Sequence, residues 1–162
     1  MKICFANAAD LDVMADLLHE LFTLESDFRP ERDKQFAALR WLLDHPAHGR
    51  LFVMHDVVQD KTRVVGMANA LISISTAEGG PVMILEDLIL AASHRGRGLG
   101  RQLTEHVLRW AADEGLCRVT LLADRNNRAA LAFYQRLGFD ESAMAVRRKK
   151  LIPNIPMNGP PP

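Results

Sequence analysis

The chain has 162 residues, 48% of them hydrophobic, which is one domain's length with enough apolar side chains for a single buried core. Lys plus Arg and Asp plus Glu both number 20, so the formal net charge is zero and no global field gathers nucleic acid or an anionic membrane surface. Cys4 and Cys117 lie in apolar surroundings with neither CxxC spacing nor a histidine close in sequence, which argues against a metal site or disulfide framework and predicts two buried thiols.

The N-terminus MKICFANAADLD turns polar after five residues. No apolar run reaches about 18 residues, so neither a signal peptide nor a transmembrane helix is expected, and the expected compartment is the cytoplasm. Residues 2 to 6 read as a short strand. Asp10 then opens a helical pattern with Val13, Met14, Leu17, Leu18 and Leu21 at three-to-four spacing. Pro30 disfavours helix at Arg29, and a second helix carrying Phe36, Leu39, Leu42 and Leu43 runs to His45 before Pro46. From Leu51 to Leu90 three runs rich in branched residues, separated by QDKT and STAEGGP, predict sequential antiparallel strands. A helix from about Gly98 to Glu114 carries Leu99, Leu103, Val107 and Trp110 on one stripe, with Gly115 placed to end it. CRVTLLA reads as a buried strand, NRAALAFYQRL as a helix stopped at Gly138, and Ala143 to Leu151 as a last, edge-like strand. These elements make one domain over residues 1–151, and the Pro-rich tail 152–162 is expected to be disordered.

The sharpest local feature is SHRGRGLGRQL, where a β-run ends and a helix begins. The first turn of a helix ordinarily favours acids, because its unpaired N–H groups and dipole create positive potential. Here it holds His94, Arg95, Arg97 and Arg101, with no acid before Glu105. Gly96, Gly98 and Gly100 let a backbone approach an anion closely, and a pyrophosphate is a natural guest. The bland reading is a solvated basic turn with glycines needed for packing. The terminal Lys and Ser/Thr of a Walker motif are absent, and the GxGxxG spacing is not met.

At these residues the chain resembles the GNAT N-acetyltransferase family. The family's cofactor motif R/Q-x-x-G-x-G/A is matched by Arg95, Gly98 and Gly100. A second signature, N-x-x-A-x-x-F/L-Y with an LGF ending, is matched by Asn127, Ala130, Phe133, Tyr134, Leu137, Gly138 and Phe139. The resemblance implies an α/β (α+β) fold, a mixed, twisted and splayed sheet of about seven strands flanked by four helices, with acetyl-coenzyme A lying in the splay. Carried onto this chain, backbone groups of Leu88, Ile89 and Leu90 would meet the pantetheine and acetyl carbonyl. Those of Arg95, Gly96, Arg97, Gly98, Leu99, Gly100 and Arg101 would hold the pyrophosphate, while Asn127 and Tyr134 would stand beside the pantetheine and sulfur.

The expected chemistry is acetyl transfer from the thioester to a primary amine by direct attack, on a small-molecule or peptide acceptor. A base must deprotonate the ammonium, and Glu86 is the candidate. Adjacent strand residues point to opposite faces, so at most one of Glu86 and Asp87 is expected to face the amine. Tyr134 is the candidate acid for the departing thiolate, against a packing role beside Ala130, Phe133 and Leu137. Glu25, Asp27 and Phe28, with Phe22, fit an acidic and aromatic acceptor wall and fit a polar loop tip equally. His94 is read as a surface loop residue, and the histidines show no metal-ligand spacing, so no metal is expected. The RRKK run 147–150 is read as edge-protecting charge. Neither nucleic acid nor membrane is expected as a partner, and the family's frequent dimerisation makes a homodimer an open expectation. Two other classes remain: an acyl-CoA-binding sensor without turnover, and a nucleic-acid module using the two basic clusters.

Overall fold

The computed structural model describes residues 1–25, 27–58 and 61–151, so the Pro-rich tail lies outside the described residues. Period-two alternation builds a five-stranded sheet from β1 (Lys2–Phe5), β2 (Gly49–Val58), β3 (Lys61–Ser75), β4 (Gly80–Leu90) and β5 (Val119–Leu121). The strands lie in the order β1-β2-β3-β4-β5, antiparallel except for the parallel β4–β5 pair.

Helices cover both faces, which is why the sheet carries apolar residues on each. Leu51 and Val53 of β2 join the core under α1 (Leu11–Leu24) and α2 (Arg32–Asp44). The alternate residues Phe52 and Met54 join Leu99, Leu103, Val107 and Ala111 of α3 (Leu99–Asp113) on the other face. Met14, Met54, Met67, Met83 and Leu103 are wholly buried, each contributing about 1.5–3 kcal/mol through area removed from water. The shorter α4 (Arg128–Arg136) follows β5. Among the described residues no helix is long and apolar enough to cross a membrane.

Two irregularities shape the functional end. Gly66 sits where the β2–β3 register shifts, and a Cβ there would run into the Leu90 side chain and come within 3.2 Å of Ile89 O, so a larger residue would force Leu90 to repack. On β4, Asp87 and Leu88 together oppose Ala68, because Asn69 pairs with Glu86 while Met67 pairs with Ile89. Asp87 takes φ 51°, the only non-glycine residue with positive φ among those described. This bulge breaks the alternation on which the expected opposite facing of Glu86 and Asp87 rested.

The sheet has five described strands rather than about seven. Residues 143–151 form no strand, which corrects the expected edge strand. Four consecutive cations leave the segment no alternating apolar face, and Met144, Val146 and Leu151 are exposed. Arg148 instead ties it to the α1–α2 connection, as shown below. The expectation of two buried thiols also fails. Cys117 is exposed because β5 begins only at Val119, and Cys4 on β1 is half-buried.

Candidate active site

The sheet opens at Glu86. β5 pairs only with Met83, Ile84 and Leu85 of β4, so from Glu86 onward β4 has no β5 neighbour. Leu88, Ile89 and Leu90 therefore have no β5 partner, as a splayed sheet requires.

Beyond the gap, Ala91 N–H donates to Val65 O at 2.8 Å and Arg95 N–H to Ala92 O at 3.3 Å. Gly96 and Gly98 then take φ 71° and 75°, a region that branched residues rarely enter. None of the backbone N–H groups from Gly96 to Arg101 has an acceptor among the described residues. A row of unpaired donors at the N-terminus of a 15-residue helix has the geometry and potential to take an anion such as a pyrophosphate. At Gly100 a Cβ would project toward Phe133 and Leu90 at 3.7 and 3.8 Å, ordinary contact distances, so packing alone does not demand glycine. The residues present fit a coenzyme A pyrophosphate.

The arginines around this loop divide. Arg95 donates from Nη2 to Glu20 Oε1 of α1 at 2.7 Å and from Nε to Leu90 O at 2.9 Å. Arg101 pairs with Glu105 at 2.7 Å. These two guanidinium groups brace the loop and helix, while the N–H row forms the concave surface. His94 is more than a loop residue: its ring bonds Asp56 Oδ2 at 3.1 Å and Ser93 Oγ at 2.9 Å, anchoring the turn to β2. The ring beside Asp56 holds that carboxyl below its usual range.

The candidate catalytic and acceptor residues converge at the bulge. Burial raises Glu86, with Arg148 opposing the shift. Burial, and then Glu86, pushes Asp87 up to about 7, even though Asn69 Nδ2 donates to its carboxylate. Glu25 is raised by burial and then by Asp124, with Asp27 and Glu86 adding and Arg148 opposing. Burial, and then Glu25, pushes Tyr134 up to about 12. Its ring packs 5.1 Å from Phe133 and 5.8 Å from Phe139. Five carboxyl groups, Glu25, Asp27, Glu86, Asp87 and Asp124, and the phenol thus share one electrostatic environment.

Asp27 and Phe28 stand at the rim. Arg148 Nη1 donates to Asp27 Oδ2 at 2.7 Å, and its guanidinium lies 5.0 Å from the Phe28 ring centre. Phe22 packs 5.3 Å from Phe28. So the RRKK run includes a residue anchored to the α1–α2 connection as well as exposed charge. Asn127 caps α4, accepting from Ala130 N–H at 3.0 Å, which commits its oxygen and leaves the amide NH₂ as its remaining donor group.

Asp124, Arg148 and Asn69 were missed in sequence. Asn69, 3% exposed, was detectable as a lone polar residue within an apolar strand. Asp124 and Arg148 carry no local signal.

With this geometry in place, the Acetyltransferase (GNAT) family model matches residues 12–139. A mycothiol acetyltransferase of Kocuria rhizophila is 33% identical over 91 residues, covering 56% of this chain and 30% of that protein. An aminoglycoside N(6')-acetyltransferase type 1 of Salmonella typhimurium is 28% identical over 89 residues, covering 53% of this chain and 61% of that protein. The chain therefore spans less than two thirds of either relative. The solved AAC(6')-Iy, in complex with the bisubstrate analogue CoA-S-monomethyl-acetylneamine, superposes with a TM-score of 0.73 at 25% identity, covering 93% of this chain and 98% of that one. The family match spans most of the sequence, includes both motifs, and agrees with the splayed sheet and the N–H cradle: the chain belongs to the GNAT acetyltransferase family.

Proposed function

We propose that the chain is an N-acetyltransferase that moves an acetyl group from acetyl-CoA to a primary amine by direct attack. The observation that carries this reading is the row of unpaired N–H groups from Gly96 to Arg101, which follows the same strand, β4, that carries the buried carboxyl groups Glu86 and Asp87. Acetyl-CoA supplies the activated acyl thioester.

The chain's residues divide the remaining work. Gly96 to Arg101 hold the pyrophosphate through their N–H groups, with Arg97 able to add charge. Asn127 donates toward the pantetheine arm. Among Leu88 to Leu90, the backbone N–H groups that point away from β3 have no β5 partner and are the donors available to charge developing on the carbonyl oxygen. Glu86 takes a proton from the acceptor ammonium, directly or through water. Tyr134 donates its hydroxyl proton toward the departing sulfur. Glu25, Asp27, Phe28 and Asp87 form the acceptor wall, and Arg148 resting on Asp27 and Phe28 supports a wall suited to cations.

Acetyl-CoA incubated with separate polyamine, aminoglycoside, amino-acid and N-terminal-peptide acceptors should release free thiol only where an accepted amine is present. That acceptor should gain about 42 Da. Acetyl-CoA binding without thiol release across the panel would favour a sensor and set aside the transferase reading.

A further inference from the structure

A second chemically organised cluster lies at the opposite edge of the sheet, on β1 and β2, with β3 between it and β4. Cys4 on β1 places Sγ 3.6 Å from Nδ1 of His55 on β2. The other ring nitrogen, Nε2, is 3.1 Å from Asp10 Oδ1. Asp10 Oδ2 accepts from Asn7 N–H at 2.9 Å and from Asn7 Nδ2 at 2.7 Å. The His55 and Asp10 side chains are only 12% and 9% exposed, so this is an internal relay rather than a surface ion pair.

The bonding pattern fixes the direction of proton flow. Asp10 receives donors on both oxygens and so acts as an ionised acceptor. The His55 tautomer that satisfies it carries its proton on Nε2, leaving the Nδ1 lone pair facing the Cys4 thiol. Thiol, imidazole and carboxylate then stand in the order that turns a thiol into a thiolate. Lys2 pairs with His55 in the β1–β2 register, and Arg63 lines the adjoining cavity, so two cations also lie in this neighbourhood. That cavity, about 430 Å³, is lined in part by His55 and Asp10, and Cys4 is itself partly exposed. The acetyl-transfer chemistry uses none of these groups. Among the described residues no group of three or more His, Cys, Asp and Glu is placed to hold a metal ion.

We infer that Cys4, His55 and Asp10 form a thiol-exchange site that takes up small disulfides. The Cys4 proton passes to His55 Nδ1, and Asp10 balances the imidazolium. The thiolate sulfur attacks one sulfur of the disulfide, so that one S–S bond forms as another breaks. The departing thiolate takes the proton back from His55, and the disulfide is the only oxidant required.

Cys117 provides an internal reference, being more exposed than Cys4 and having no histidine partner among the described residues. The full chain is treated with dithiobis(nitrobenzoate), a small disulfide, and adducts at the two cysteines are followed separately by peptide mass spectrometry. Cys4 is expected to react roughly 10-fold faster than Cys117, the reverse of what exposure alone dictates. His55→Gln keeps an amide donor for Asp10 but removes the base. It should slow Cys4 by roughly 10-fold, leaving Cys117 and acetyl-CoA binding unchanged. A Cys4 rate at or below that of Cys117 in the parent overturns the inference, whether or not the variant folds. A folded His55→Gln protein with an unchanged Cys4 rate overturns it too.

Discussion

Glu86→Gln is expected to lower kcat about 100-fold at neutral pH while leaving acetyl-CoA affinity within a few-fold, the lower end of what a general base contributes. The carboxylate must be ionised to accept a proton, and burial raises its pKa above the ordinary 4.5. The parent's rate should therefore climb as pH rises through that raised value, and the variant should lack this ascending limb. The loss should shrink toward higher pH, where more acceptor arrives as free amine, an ordinary lysine-like ammonium titrating near about 10.4. Asp87, pushed up to about 7, gains charge around neutral pH, and Glu25 lies close to both. Steady-state rates measured from roughly pH 6 to pH 9 separate the candidates. A variant that keeps both the parent's rate and its limb assigns proton removal to Asp87, Glu25 or water.

Tyr134→Phe is expected to lower kcat roughly 10- to 100-fold, because a hydrogen bond to a group gaining charge is worth about 1.5–3 kcal/mol. The phenol, pushed up to about 12, stays protonated at neutral pH. A thiol titrates near about 8.5, so complete transfer to a free thiolate runs uphill, and the hydroxyl acts chiefly by donating as the sulfur gathers charge. A thioester with a more acidic thiol needs less of that help, so it should recover part of the loss. The substitution keeps the ring packed against Phe133 and Phe139, so melting temperature should change little. Full activity with either thioester would make Tyr134 a packing residue.

How much of this was legible depended on whether the signal was local. The stripe Leu99, Leu103, Val107 reads as one buried helix face from period alone, and all three are buried against the sheet. The glycine pattern before it announced a loop with αL turns, which Gly96 and Gly98 make, because αL positions call for glycine. The β4 bulge was illegible, since the αL position is filled by Asp87 and no glycine marks it. Roles set by distant partners were hidden as well. Nothing local showed that the Arg95 guanidinium is held by Glu20, 75 residues away. Arg148 meets Asp27 across 121 residues, and nothing in RRKK distinguishes that arginine from its neighbours. The expected last strand failed for a related reason: strand propensity matters only where a pairing edge is met, and this segment meets Asp27 and Phe28 of the α1–α2 connection instead.

The central claim is that the Gly96–Arg101 cradle selects acetyl-CoA, and ligand-dependent thermal stability tests it most directly. Acetyl-CoA at about 100 times its Kd should stabilise the parent by about 2.7 kcal/mol, a rise in melting temperature of roughly 5 to 10 °C. ATP and NAD at the same concentration should leave it unchanged. In Gly98→Val, where φ 75° strains a branched residue and reshapes the N–H row, the acetyl-CoA shift should fall below half of the parent's. Equal stabilisation by ATP, or an undiminished acetyl-CoA shift in Gly98→Val, would contradict the claim.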